Sequence, residues 1–127
     1  MIVRTRRDVV ESGLQVVCPR GGFISTRYIV AADGLGFSMS HTLVPAGDWH
    51  RWHYVNHVEA CLCVSGHATV KDNATGQHWD IFPGTLYAPD ASDDHSLKAH
   101  NDTVLICVFN PPLAGDEIHD EAGHYKI

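Results

Sequence analysis

Apolar and polar residues alternate with a period of two through most of the chain, and turn-forming residues break the alternation at short intervals. Arg27–Ala31 reads as a strand ended by the turn Ala32-Asp33-Gly34. Phe37, Met39, His41 and Leu43 then alternate with Ser38, Ser40 and Thr42 as far as a turn at Pro45-Ala46-Gly47-Asp48. The aromatic-rich run Trp49–Val55 fits a strand. Glu59–Val64 and Ala68–Lys71 are strands split at Ser65-Gly66-His67, and Asn73-Ala74-Thr75-Gly76 closes a hairpin onto Gln77–Phe82. Thr85–Ala88 and Ser96–Ala99 flank the polar loop Pro89–Asp94, and Thr103–Phe109 is a strongly β-prone run closed by Asn110-Pro111-Pro112. Arg7–Glu11 suits one helical turn, Cys18–Gly22 is a loop, and the tail from Ala114 is polar and irregular. Eight to ten short strands, with turn signals about every 8–12 residues, predict an all-β sandwich or barrel with short helical turns.

Length and composition narrow this picture. The 127 residues make one domain, spanning 1–127, and 44% hydrophobic against 19% charged residues mark a globular chain. A jelly-roll barrel of this size encloses room for one small ligand. The net charge of −6, with no basic block, argues against nucleic acid or an anionic membrane as partner. No apolar run approaches the roughly 18 residues of a membrane span, and the apolar start MIVRTRRDVV is broken by Arg4, Arg6 and Arg7. The expectation is a cytoplasmic protein. Cys18, Cys61, Cys63 and Cys107 form no CxxC pair, which disfavours a structural zinc site. Cys61 and Cys63 share a strand face about 6.6 Å apart, a poor disulfide geometry. Reduced, buried thiols are expected.

Ten histidines in the chain point loosely to metal chemistry. The face argument is sharper. Glu59 opens an apolar strand and lies on one face with Cys61 and Cys63. If that face is interior, its carboxylate needs a cation or hydrogen-bond donors. Tyr87 shares a face with Thr85 in the next β-segment, and His95 follows a turn before an apolar strand. Glu, Tyr and His converging in a barrel make a mixed oxygen and nitrogen site suited to Fe(II), Mn(II) or Zn(II). One at a time, the same residues also suit a solvated strand-end Glu, a core Tyr and a surface His.

The order G…H…H-x-E…G followed by PG…H resembles the cupin arrangement. A closer resemblance is to the ectoine synthase family. It is carried by MIVRT, AADGLGFSMSHT, HYVNHVEA, KDNATGQ, PGTLYAPDASDDH and CVFNPPLAGDEIHDEAGHY, which run through nearly the whole chain in family order. The resemblance implies a cupin-type jelly-roll barrel, a homodimer, and a metal held by Glu59, Tyr87 and His95, most simply Fe(II), with another divalent metal as the alternative. It also implies a cyclising dehydration of N-γ-acetyl-L-2,4-diaminobutyrate to ectoine and water. Tyr54, His57, Glu117 and His119 would then be catalytic. Phe23, Arg27, Ser40, Thr42, Trp52 and Phe109 would bind substrate, Arg27 through the carboxylate, with His53 beside them. Residues 114–127 would form a C-terminal lid. Phe23 stands where the family usually has Trp, Ser40 where it usually has Asn, and VSGHATV replaces a glycine-rich EGEGEV-like turn. Two other classes fit the same pattern: another small-molecule cupin enzyme, such as a related cyclase, hydrolase or oxygenase, and a non-catalytic ligand-binding cupin.

Overall fold

The structure, a computed structural model, describes residues 1–120 and 123–125. Helix α1 (Arg6–Glu11) starts at a capping box, in which Thr5 Oγ1 accepts from the Asp8 amide and the Asp8 carboxylate accepts from the Thr5 amide. Its one buried residue, Val9, packs toward the barrel, and the Arg4 guanidinium forks onto Asp33 at 2.6 and 2.8 Å. Asp33 ends the second helical piece, a 3₁₀ turn at Ala31–Asp33.

Ten strands follow the two-residue period: β1 (Gln15–Cys18), β2 (Phe23–Ile29), β3 (Ser38–Val44), β4 (His50–Trp52), β5 (Val58–Ser65), β6 (Ala68–Asp72), β7 (His78–Ile81), β8 (Leu86–Tyr87), β9 (His95–Ala99) and β10 (Thr103–Asn110). They build two antiparallel sheets. One has the order β1-β2-β3-β10-β5-β8, the other β4-β9-β6-β7. The buried residues of both line one common interior. This is the expected all-β cupin jelly roll.

Several bounds differ from the pattern-based expectation, each for a tertiary reason. Strand β1 was not anticipated, and it exists because Gln15–Cys18 pairs along β2. Arg27–Ala31 is only the end of β2, whose alternation begins at Phe23, and Ala31 already belongs to the 3₁₀ turn. β4 stops at Trp52, because the His53 amide donates to the Gly123 carbonyl at 3.0 Å and not to a strand. Strands β5 and β6 are not partners but lie in different sheets. The corner between them is Gly66, with φ of +91°, where any Cβ would collide with the Asp102 carbonyl.

The alternation in β3 is resolved with its polar set inward. Ser38, Ser40 and Thr42 are buried, while Met39 is exposed. That inversion marks the stretch of interior that is not a hydrophobic core. All four cysteines are free and buried, as expected.

Candidate active site

Glu59, Tyr87 and His95, the expected metal trio, come from three strands of the two sheets. Glu59 sits near the start of β5 opposite Phe109, Tyr87 lies on β8 opposite Cys61, and His95 opens β9 opposite Trp52. Glu59 and His95 are 5% and 3% exposed. The Tyr87 and His95 rings lie 5.9 Å apart. Each residue turns one buried polar atom inward with no hydrogen-bond partner: Glu59 Oε1, the Tyr87 hydroxyl and His95 Nε2. The other nitrogen of His95, Nδ1, lies 2.8 Å from the Asp93 carbonyl, which accepts its proton and leaves a lone pair on Nε2. Each orphan costs about 1–3 kcal/mol, and a shared cation would relieve all three.

Burial dominates the electrostatics of all three groups and favours their neutral forms. Burial pushes the Glu59 carboxyl up to about 7, against smaller hydrogen bonds from Cys61 and Cys107. Burial, followed by the nearby Cys61 and Glu59, holds the Tyr87 phenol well above its ordinary value. Burial lowers His95 and keeps its imidazole neutral, the form that ligates. Glu59 also lies beside two thiols, and ligand atoms of Glu59, Cys61 and Cys107 fall within 4.8 Å of one another. The two sulfurs are 3.4 Å apart and engage each other, and burial drives Cys61 up toward its protonated form. Of these buried groups, His95 is the one that burial itself holds in its ligating form.

The proposed substrate residues surround this trio. Arg27 on β2 is 1% exposed, lies opposite Ser40 of β3, and donates from its Nε to Ser25 Oγ at 3.2 Å. Its Nη2 donates to the Glu117 carbonyl at 2.6 Å, and its Nη1 lies 3.4 Å from the Glu117 carboxylate. That carboxylate also accepts from the amides of Ala114 and Gly115. Thr42 donates to the Cys107 sulfur at 3.4 Å. The Tyr54 hydroxyl is 2.8 Å from His119 Nε2. Burial pushes His119 down to about 3 and the Tyr54 phenol well above its ordinary value, so both are neutral. His57 packs edge-on to Phe109, its Nδ1 is buried without a partner, and burial lowers its basicity. Phe23 and Trp52 meet edge to face at 5.5 Å, and the Trp52 indole donates to the Gly21 carbonyl.

The described part of the tail is stitched to the barrel as a strap. The Leu113 amide donates to Ser38 Oγ, the His119 amide to the Cys18 sulfur, and the His53 amide to the Gly123 carbonyl. A Cβ on Gly123, where φ is +79°, would press on the Arg51 carbonyl. Of the expected lid, residues 121, 122, 126 and 127 lie outside the described residues. A cavity of about 760 Å³ runs outside the strap between Cys18–Arg20 and Ala114–Asp120. A second, of about 430 Å³, reaches Tyr87 and His95 from the Ala88–Asp93 side.

Sequence reasoning missed two members of the site. Tyr125 stacks on Tyr54 at 4.8 Å and lies over the Arg27 guanidinium at 5.6 Å. It ends the tail motif that carries the family resemblance, so that motif already contained the signal. Cys107 beside Glu59 has no such signal, because only the β5–β10 register pairs it with Cys61.

A family model for ectoine synthase matches residues 1–127. The L-ectoine synthase of Wolinella succinogenes is 44% identical over 127 residues, spanning 100% of this chain and 97% of its own. That of Teredinibacter turnerae is 41% identical, over 100% of this chain and 96% of its own. The crystal structure of ectoine synthase from P. lautus is 36% identical and superposes with a TM-score of 0.83, covering 91% of this chain and 81% of that one.

Proposed function

The chain belongs to the ectoine synthase family and is a hydro-lyase of ectoine synthesis; on that premise we propose that its substrate is N-γ-acetyl-L-2,4-diaminobutyrate, closed to ectoine with loss of water. The supporting observation is that Glu59 Oε1, the Tyr87 hydroxyl and His95 Nε2 are all buried without a hydrogen-bond partner, in an interior that also holds the buried Arg27. In this reading the free α-amine attacks the acetamide carbonyl, and the carbinolamine then loses its hydroxyl as water.

Glu59, Tyr87 and His95 would hold a divalent metal, Fe(II) by preference, which when bound supplies Lewis-acid polarisation of the amide carbonyl. Arg27 anchors the substrate carboxylate. The long 3.4 Å contact from its Nη1 to Glu117 is the one that yields, while the 2.6 Å bond from Nη2 keeps the strap attached. His57, with Nδ1 unpartnered, accepts the proton of the attacking amine. Tyr54, oriented by His119 and held as a phenol, donates toward the departing hydroxyl. Glu117 accepts from two amides and an arginine, and its role is to position the strap. Phe23, Trp52 and Phe109 wall the pocket, Ser40 and Thr42 line its polar side, and the strap excludes bulk water from a reaction that releases water.

Val58, Leu62, Val64 and Leu86 are exposed on the outer face of β5 and β8, with Leu62 opposite Leu86. A homodimer burying this face is the partner assignment we favour. Four free thiols suit a reducing, cytoplasmic setting. Among the described residues no helix is long and apolar enough to cross a membrane.

The test is to load the protein with Fe(II), add N-γ-acetyl-diaminobutyrate and separate the products by chromatography. Ectoine should form above a metal-stripped control. Its absence, with the acetylated substrate recovered unchanged, rejects the reading.

A further inference from the structure

A second constellation stands on the outer surface, with its Asp80 on the wall of the cavity that reaches Tyr87 and His95. His67 lies in the corner between β5 and β6, His100 in the turn between β9 and β10, and Asp80 within β7. One ligand atom from each falls within 4.8 Å of the other two. His67 Nε2 is 3.3 Å from Asp80 Oδ1. Two donors held tetrahedrally at about 2.0–2.1 Å from one zinc ion are separated by about 3.4 Å. Thr69 adds a hydroxyl oxygen between them, 2.7 Å from His100 Nε2 and 3.2 Å from Asp80 Oδ1.

The placement of these donors is set by the backbone. The His100 amide donates to the His67 carbonyl at 2.9 Å, and Thr103 Oγ1 donates to the same oxygen at 3.2 Å. The His67 amide donates to Asn101 Oδ1 at 2.7 Å. Asp80 and Thr69 are direct partners in the β6–β7 ladder. The His67 ring stacks flat on Phe82 at 4.3 Å, with the His100 ring 4.5 Å away. Hydrogen bonds from His67 and Thr69 hold the Asp80 carboxyl below its ordinary range, as a carboxylate.

We propose that His67, His100 and Asp80 form a second, external binding site for a borderline divalent metal ion of the zinc(II) class. Two imidazoles and one carboxylate match such an ion far better than the all-oxygen shells of calcium or magnesium. The remaining coordination positions face solvent and take water. The ion would tie together three segments distant in sequence, the β5–β6 corner, β7 and the β9–β10 turn, and would stabilise the fold by mass action.

Zinc stoichiometry by equilibrium dialysis tests the proposal. A His67→Asn/His100→Asn double variant should bind one equivalent fewer than the unaltered chain, and equal stoichiometry overturns the site. Folding of the variant is checked by circular dichroism. Independently, zinc added to a folded Glu59→Gln variant, or to the unaltered chain, should shift the imidazole proton resonances of His67 and His100. Resonances that stay in place through a full titration reject the proposal.

Discussion

Arg27 Nη2 donates to the main-chain carbonyl of Glu117 at 2.6 Å, across 90 positions of sequence. The cation proposed to anchor the substrate is thus also the clasp of the C-terminal strap. Replacing Arg27 by Met leaves the buried Glu117 carboxylate with only the Ala114 and Gly115 amides. Loss of one partner of a buried pair costs about 3 kcal/mol, the lower end of the usual range because those amides remain. Urea unfolding should show that loss, and limited proteolysis should cut beyond Ala114 sooner than in the parent.

The metal trio predicts two effects of opposite sign from one substitution. Tyr87→Phe removes a buried hydroxyl that has no partner. In chelator, the metal-free variant should therefore be at least as stable as the parent, by about 1 kcal/mol. In metal analysis after loading, the same variant should retain little iron. A metal-free protein destabilised by this change, with iron retained, would show that Tyr87 serves the core and not a metal.

Glu59 has the clearest pH signature. Burial raises its carboxyl from 4.5 to about 7. Below pH 4.5 this group contributes its full share to the metal-free fold, and the share is lost as pH rises through 7. The span corresponds to a contribution on the order of 3 kcal/mol. Denaturant midpoints of the chelated parent, compared with Glu59→Gln between pH 4.5 and 8, should diverge in that direction. Metal uptake near neutral pH should release protons, which calorimetry in buffers of different ionisation enthalpy detects.

His119 works in the opposite direction. Burial lowers it from 6.5 to about 3, so its neutral form supports the fold above pH 6.5 and the support is lost as pH falls toward 3. Asp33 and Asp94, lowered to about 2 chiefly by hydrogen bonds from Arg4 and Arg51, add losses only below about pH 4. Because Glu59 offsets this loss between pH 6.5 and 4.5 in the metal-free parent, His119→Gln should gain stability relative to the parent as pH falls from 6.5 to about 4.

Tyr54→Phe removes the phenol that His119 orients while keeping the ring stacked on Tyr125. Loss of a positioned proton donor typically costs about 10²–10⁴-fold in rate. Steady-state kinetics should show the fall in kcat with KM little changed. A rise in KM alone would instead mark Tyr54 as a binding wall.

Read along the chain, the period of two was enough to find nine of the ten strands, and the shared face of Glu59, Cys61 and Cys63 was enough to suspect an interior carboxylate. Strand bounds were less legible, because pairing partners set them. β1 exists through β2, and β4 ends where Gly123 takes the His53 amide.

The sequence by itself determined the all-β class, the family resemblance and the candidate trio, since side-chain alternation and motif order are local properties. Which side of each strand faces inward was decided only by the tertiary structure. Ser38, Ser40 and Thr42 are interior because β3 fronts a polar pocket, not because a hydrophobic face chose them. The same holds for the Arg27–Glu117 clasp, the Tyr54–His119 contact and the outer His67–Asp80–His100 group. Each joins residues from separate elements, and two flat sheets had to close over one interior before their side chains could meet.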